Sequence, residues 1–193
     1  MRLPAAERRQ QLLDSALGVF AAKGYHETSM NEVAEAAGVT KPVLYQHFAS
    51  KRELYRELLG EIGGQLRDSI AKATADAPGP RQQIEAGFDA YFRFVAHHRD
   101  AFQVLFGAGT RRDEEFAAES RKVEASIAEM TADLIAVDQL SPEDRRVLGN
   151  GIVGLAEGAC RYWLANKVDT SPEVLAAHVS RLAWAGLRGI TPS

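Results

Sequence analysis

Apolar residues recur at three- and four-residue spacing along most of the chain, and no stretch alternates apolar with polar. That is the period of amphipathic helices, not of strands. Leu13, Ala16, Leu17 and Phe20 predict a first helix over 5–23, ended by Gly24. After Ser50, the positions Leu54, Leu58, Ile62, Leu66 and Ile70 carry one apolar face toward residue 75. The first three suit an N-terminal domain and the last two a second one, so this long helix is expected to link them mechanically. Asp76-Ala-Pro-Gly-Pro80 breaks the pattern. Phe88, Tyr91, Phe92 and Val95 predict a helix over 81–98; a short one follows over 100–107 and a longer one over 113–137. Ser141-Pro142 and Ser171-Pro172 each set a capping hydroxyl before a proline suited to a first helical turn. They start helices over 142–167 and 172–188. The pattern is that of an all-α chain of about nine helices, divided into 1–55 and 56–193.

The punctuation is densest between residues 28 and 54. Ser29 and Glu32 have capping-box spacing, Gly38 offers a left-handed turn position, and Thr40 with Pro42 opens a short helix. Ser50 and Glu53 repeat the capping-box spacing. Two short helices joined by a glycine-containing turn are the pattern of a DNA-binding helix-turn-helix. Its second helix, over 41–47, would face the major groove with Lys41, Pro42, Val43 and Gln46 near base edges, Gln46 suiting adenine and Val43 a thymine methyl. Tyr45, His47, Lys51 and the hydroxyls of Thr28, Ser29 and Thr40 suit phosphate oxygens. Val33, Val39, Leu44 and Phe48 read as core. Lys41 and Lys51 stand at helix starts, where the dipole does not favour a cation, which points to an external anion.

Arg9, Leu12, Leu13, Ala16, Phe20, Gly24, Thr28, Val33, Ala34, Ala37-Gly38-Val39, Leu44-Tyr45, His47-Phe48, Lys51 and Leu54 fall at fixed spacing. Over about the first 60 residues this resembles the N-terminal domain of the TetR family of bacterial transcriptional regulators. The resemblance implies an all-helical homodimeric repressor, released from DNA by a small ligand held in a C-terminal domain. It maps the family's DNA-contacting positions onto Ser29, Met30, Lys41, Pro42, Val43, Tyr45, Gln46, His47 and Lys51. Met30 departs from relatives that read a guanine there with Arg.

Charge adds little. Residues 1–59 hold 8 Lys and Arg against 7 Asp and Glu, and the remainder 15 against 19, a split of +1 and −4 within the overall −3. DNA binding must therefore rest on where basic groups stand. One cysteine, Cys160, allows no internal disulfide, which suits a reducing cytoplasm. The N-terminus leads into an amphipathic helix and not a signal peptide, and the longest uncharged run is too short to span a membrane.

The C-terminal part carries two further expectations. Gly151, Gly154 and Gly158 share one helix face, and each weakens a helix unless another helix comes close. Leu175, Val179, Leu182 and Gly186 form one apolar side of the last helix, and Trp184 and Leu187 another. Two copies of these helices would make a four-helix dimer interface, which calls for a roughly palindromic DNA site. Aromatics at helical spacing suggest a cavity for an apolar or aromatic effector, with Phe88, Tyr91, Phe92, Phe102, Phe106, Met130 and Trp163 as lining candidates.

Gly149-Asn-Gly-Ile-Val-Gly154 matches a dinucleotide-binding fingerprint, but it lies within a helix already begun at Pro142 and no strand precedes it. The histidines and Cys160 form no metal-ligand spacing, and no catalytic motif is present, so neither enzyme nor cofactor is expected. The rival readings are a lipid- or small-molecule-binding protein of this fold without DNA function, and an activator.

Overall fold

A computed structural model describes residues 4–135 and 140–190. Its helices are α1 (Ala5–Lys23), α2 (Met30–Ala36), α3 (Lys41–His47), α4 (Lys51–Ala75), α5 (Pro80–His97), α6 (Arg99–Phe106), α7 (Ala108–Arg112), α8 (Glu114–Leu134), α9 (Pro142–Ala165) and α10 (Pro172–Arg188). Among the described residues there is no strand. The expected helices stand within a few residues of their places. The turn expected at Gly107-Ala-Gly109 contains the additional segment α7, and the expected end of the next helix at 137 lies outside the described residues.

The chain forms two compact units, and the division is not the simple cut expected after residue 55. Of the described residues, the first unit takes those up to Gly63 together with His98–Arg121; the second takes Gly64–His97 and those from Lys122 onward. The helices α4 and α8 each run from one unit into the other. The first unit recruits α6, α7 and the start of α8 because α1 needs cover on a second side: α1 packs on α2 and on α6. Leu12, Ala16, Phe20, Val33, Leu44, Phe48, Leu54, Leu105 and Phe116 are buried there. Phe20, Tyr25, Tyr55 and Phe116 form an aromatic cluster, with Tyr25 and Phe116 at 4.7 Å and Tyr55 and Phe116 at 4.6 Å between ring centroids. Tyr55 Oη lies 2.7 Å from Thr110 Oγ1 and donates to the Val104 carbonyl at 3.3 Å.

In the second unit α10 packs on α5 and α9, and α5 on α9. Phe92, Val95, Cys160 and Trp163 are buried, and Trp163 Nε1 donates to the Thr170 carbonyl at 3.0 Å. Both serine-proline starts form: Ser141 accepts from the Asp144 amide within a full capping box, and Ser171 accepts from the Val174 amide. Burial pushes the Cys160 thiol up to about 12, which keeps it protonated.

Candidate nucleic-acid interface and ligand cavity

The helix-turn-helix is built by local chemistry. The Glu32 carboxylate accepts from the Ser29 amide at 2.8 Å and from the Ser29 hydroxyl at 2.9 Å, while Ser29 Oγ accepts from the Glu32 amide at 3.3 Å. Glu32 also pairs with Lys23 of α1. These bonds hold its carboxyl at about 2, with Lys23 the largest cause. Gly38 takes φ +65°, the left-handed position that turns α2 into α3. Thr40 stands at the N-cap of α3, but its side chain makes no capping bond, contrary to the sequence reading. At the start of α4, Ser50 Oγ accepts from the Glu53 amide at 3.0 Å, and the reciprocal bond to Glu53 comes from the Ala49 amide at 2.7 Å.

On α3, Leu44 is fully buried and anchors the helix, while Lys41, Pro42, Tyr45 and Gln46 are exposed and Val43 and His47 half-buried. Tyr45 is 44% exposed, and Lys41 Nζ lies 5.9 Å from its ring centroid. Ser29 and Thr40 are exposed as well. Three expected side chains are placed otherwise. Thr28 is buried, with its hydroxyl donated to the Gly24 carbonyl at 2.8 Å. Met30 is buried and serves the core. Lys51 turns its ammonium inward onto three backbone carbonyls: Tyr25 at 2.8 Å, Thr28 at 2.8 Å and His26 at 3.4 Å. Val39, expected in the core, is half-buried.

The second unit holds a half-open cavity of about 410 Å³, within the size range of small-molecule sites. Ile70 and Thr74 of α4, Ile84, Phe88 and Tyr91 of α5, Ile127 and Thr131 of α8, Ile152 and Val153 of α9, and Trp184 and Leu187 of α10 line it. The hydroxyls of Thr74 and Thr131 are spent on the carbonyls one turn earlier, at 3.0 Å and 2.8 Å, so the walls are effectively apolar. Gln83 and Arg188 supply polar groups to the lining. Tyr91 Oη is buried without a hydrogen-bond partner, and burial holds its pKa well above the ordinary value.

Of the seven aromatic and methionine candidates, Phe88 and Tyr91 line this cavity. Phe92 and Trp163 are core side chains, their rings 6.5 Å apart edge to face. Phe102 and Phe106 belong to the first unit's core. Met130 is half-buried and outside the lining. The aliphatic walls were missed because isoleucine at helical spacing looks the same in a core and around a cavity.

The outer face of α9 and α10 is apolar and open. Val147, Tyr162 and Leu182 are 64%, 67% and 62% exposed. A Cβ on Gly151, Gly154 or Gly158 would meet nothing within 4 Å beyond its own helix backbone. Gly186 is equally open, Leu175 half-buried, and Val179 turns inward with Ala176, Ser180 and Ala183. Gly149 is different: its added Cβ would stand 2.4 Å from the Ala128 carbonyl oxygen, so this glycine permits α8 and α9 to touch. It lies inside α9, as do Gly151 and Gly154. Among the described residues no group of three or more His, Cys, Asp or Glu is placed to hold a metal, and no helix is long and apolar enough to cross a membrane.

Residues 12–58 match the family described as bacterial regulatory proteins, tetR family, and residues 80–186 match the tetracyclin repressor-like, C-terminal domain. The HTH-type transcriptional activator FasR of Mycolicibacterium smegmatis is 34% identical over 187 residues, spanning 96% of this chain and 85% of FasR. The crystal structure of a TetR-like transcriptional regulator from Rhodococcus sp. RHA1 is 30% identical with a TM-score of 0.79, covering 98% of this chain and 100% of that one. FadR from Bacillus subtilis, solved in complex with stearoyl-CoA, has the same fold at 18% identity, with a TM-score of 0.79 over 94% of this chain and 99% of FadR.

Proposed function

This chain belongs to the tetR family of bacterial regulatory proteins, which makes it a DNA-binding regulator of transcription, and we propose that it acts as a homodimer on a near-palindromic operator under the control of an apolar ligand. One observation carries the reading. The second unit holds an apolar, half-open cavity whose walls include α4 and α8, and both helices continue into the unit that bears the recognition helix. A ligand that prefers one arrangement of those helices shifts the population of DNA-competent molecules, by no more than its difference in affinity between the two states.

Lys41, Tyr45 and Gln46 are the side chains proposed to read or grip DNA, with Pro42, Val43, His47, Ser29 and Thr40 beside them. The open stripe of Val147, Gly151, Gly154, Leu155, Gly158 and Tyr162 on α9, with Leu182 and Gly186 on α10, is proposed as the dimer contact. Exposed apolar faces of this kind mark association sites. The cavity's isoleucine-rich walls and its Gln83 and Arg188 suit an elongated apolar chain with a polar end. The stearoyl-CoA of the FadR complex is a ligand of that kind held by the same fold. Acting on DNA in a bacterium, the protein works in the cytoplasm.

Covering a promoter represses without any further surface, and release by the ligand then switches genes on. A second reading, activation, is favoured by the likeness to FasR, a transcriptional activator. Expression of the target genes in a deletion strain separates the two: a rise means repressor, a fall means activator.

The first experiment is selection of bound duplexes from a random DNA pool with the wild-type protein and a Lys41→Ala, Tyr45→Ala variant. The expected result is one two-fold-symmetric site, absent with the variant. Its release is then tested with fatty acids and acyl thioesters of graded length. Without an enriched site the operator reading fails, and binding indifferent to the variant removes Lys41 and Tyr45 from the DNA contact.

A further inference from the structure

We propose that Tyr91 is the end wall of the cavity and sets how much of an extended apolar chain is held inside, with the chain's polar end at Arg188 and its methyl end against the Tyr91 ring. The inference rests on the proposed binding of such a chain, and gives that ligand a direction and a length.

The direction comes from where the lining residues stand along their helices. On α5 they run from Pro80 through Gln83, Ile84, Gly87 and Phe88 to Tyr91, one face of the helix over about three turns. Toward the end of α5, Arg93 pairs at 3.1 Å with Glu173 in the first turn of α10. The two helices pack on each other, so they run antiparallel, and the last turn of α10 lies beside the start of α5. Gln83 and Arg188 therefore share one end of the cavity. Arg188 is exposed and Gln83 half-buried, which makes this end the mouth. Tyr91 is buried at the opposite end.

Tyr91 closes that end with its ring and not with its hydroxyl. The groups that act electrostatically on the hydroxyl are Cys160, Glu157, Glu124 and Arg161, and none of these lines the cavity. The hydroxyl thus points past the cavity, toward the fully buried Cys160, and is buried there without a partner. Ala156, next to Glu157 and one turn before Cys160, lines the same end from α9.

The length follows from the helix. From Pro80 to Tyr91 the axis of α5 advances about 16 Å, at ~1.5 Å per residue. With bonds of about 1.5 Å and angles near ~111°, an extended saturated chain advances about 1.25 Å per carbon. Roughly 13 carbons therefore fit between mouth and wall. Further carbons stay at the open mouth and meet no obstacle.

The test is displacement of a fluorescent fatty acid from the whole chain, without DNA, by straight-chain acids from octanoic to eicosanoic and by the matching primary alcohols. In the wild type, affinity should rise about fourfold per carbon and level off near roughly 13 carbons. Tyr91→Ala should move the levelling point up by roughly two carbons or more, and Ala156→Leu should move it down. Tyr91→Phe keeps the ring and should leave the profile unchanged, with a melting temperature no lower, since it removes an unpaired buried hydroxyl. Arg188→Gln should weaken the acids about fivefold, the scale of an exposed charge contact, and leave the alcohols alone.

A levelling point unmoved by both Tyr91→Ala and Ala156→Leu overturns the end wall. A profile altered by Tyr91→Phe places the ligand's polar end at the hydroxyl and overturns the direction, as does an equal loss for acids and alcohols in Arg188→Gln. Thermal melts check folding, and if one of the two opposing variants does not fold, the other decides. Absence of binding at any length in the wild type is a separate result, which removes the proposed ligand itself.

Discussion

The two units are held together by different means. In the first, directional bonds cross between elements distant in sequence: Lys51 to the carbonyls before α2, Gln11 to the Ala37 carbonyl at 3.3 Å, and Tyr55 to Thr110. In the second, apolar side chains are arranged around a space, and bonds between helices include exposed ion pairs such as Arg93–Glu173 and Arg146–Glu129. Exposed pairs of that kind contribute little. Hydrogen bonds fix direction as well as distance, whereas apolar packing fixes volume and tolerates rearrangement at constant volume. The proposed base-reading surface calls for the first property, and the proposed ligand chamber for the second.

The largest expected effect tests that contrast with one substitution in each unit. Phe48 is fully buried, closes the end of α3, and lies under the Arg9 guanidinium at 4.4 Å. Phe48→Ala removes close-packed contacts and should cost about 3–5 kcal/mol, a large share of the roughly 5–15 kcal/mol that holds an ordinary domain folded. Phe88 is buried but faces the cavity on one side, where it has no packed neighbour to lose. Phe88→Ala should cost about 3 kcal/mol or less and shift ligand preference toward bulkier chains. Denaturant midpoints compare the two; equal losses would mean that the chamber is packed as tightly as the helix-turn-helix.

A smaller effect separates the inner and outer glycines of α9. Gly149→Ala would drive its Cβ against the Ala128 carbonyl, a backbone group with no side chain to swing away. The cost should be about 1–3 kcal/mol at every protein concentration. Gly154→Ala meets nothing within 4 Å beyond its own helix, so the lone chain should gain roughly 0.8–1.0 kcal/mol of helix propensity. If two copies pack on that face, the same methyl group weakens the dimer. Melting temperatures across a concentration series, with sedimentation for the mass, read both. A Gly154→Ala protein that is more stable at all concentrations would remove the proposed dimer face.

The same contrast governs what was legible in the sequence. Caps and turns rest on residues three or four apart, so Ser29 with Glu32, Gly38, and the Ser-Pro starts of α9 and α10 were readable with their bounds. The partners of Lys51 lie more than twenty residues away, and its position at a helix start suggested an outward role that the fold reverses. Thr28 was lost as a contact for a similar reason, since its hydroxyl closes a turn on Gly24. The recruitment of α6 and α7 to the first unit has no periodic signal, because an apolar face does not say which neighbour covers it. The aromatics of α6 accordingly went to the wrong unit, and Val179 was placed on the outer side of α10 although it sits at the edge of the buried face.

The smallest expected effect is a pH dependence confined to the first unit. Glu32 belongs to the box at the start of α2 and also pairs with Lys23 on α1. Its carboxyl is held at about 2 against an ordinary value of 4.5. A carboxyl whose folded value is depressed adds stability that is fully present above its unfolded value and lost as pH falls through its folded value. The window is therefore pH 4.5 down to about 2. Within it the start of α2 should loosen as Glu32 takes up a proton and releases the Ser29 amide. The group is exposed, so screening by solvent and salt keeps the effect small. The amide resonances of Ser29 and Glu32, followed by NMR through acid, should move together with a midpoint near 2, and Glu32→Gln should abolish the movement. A midpoint at the ordinary carboxylate value would show that Lys23 does not hold Glu32 in solution, leaving the box to the single helix α2.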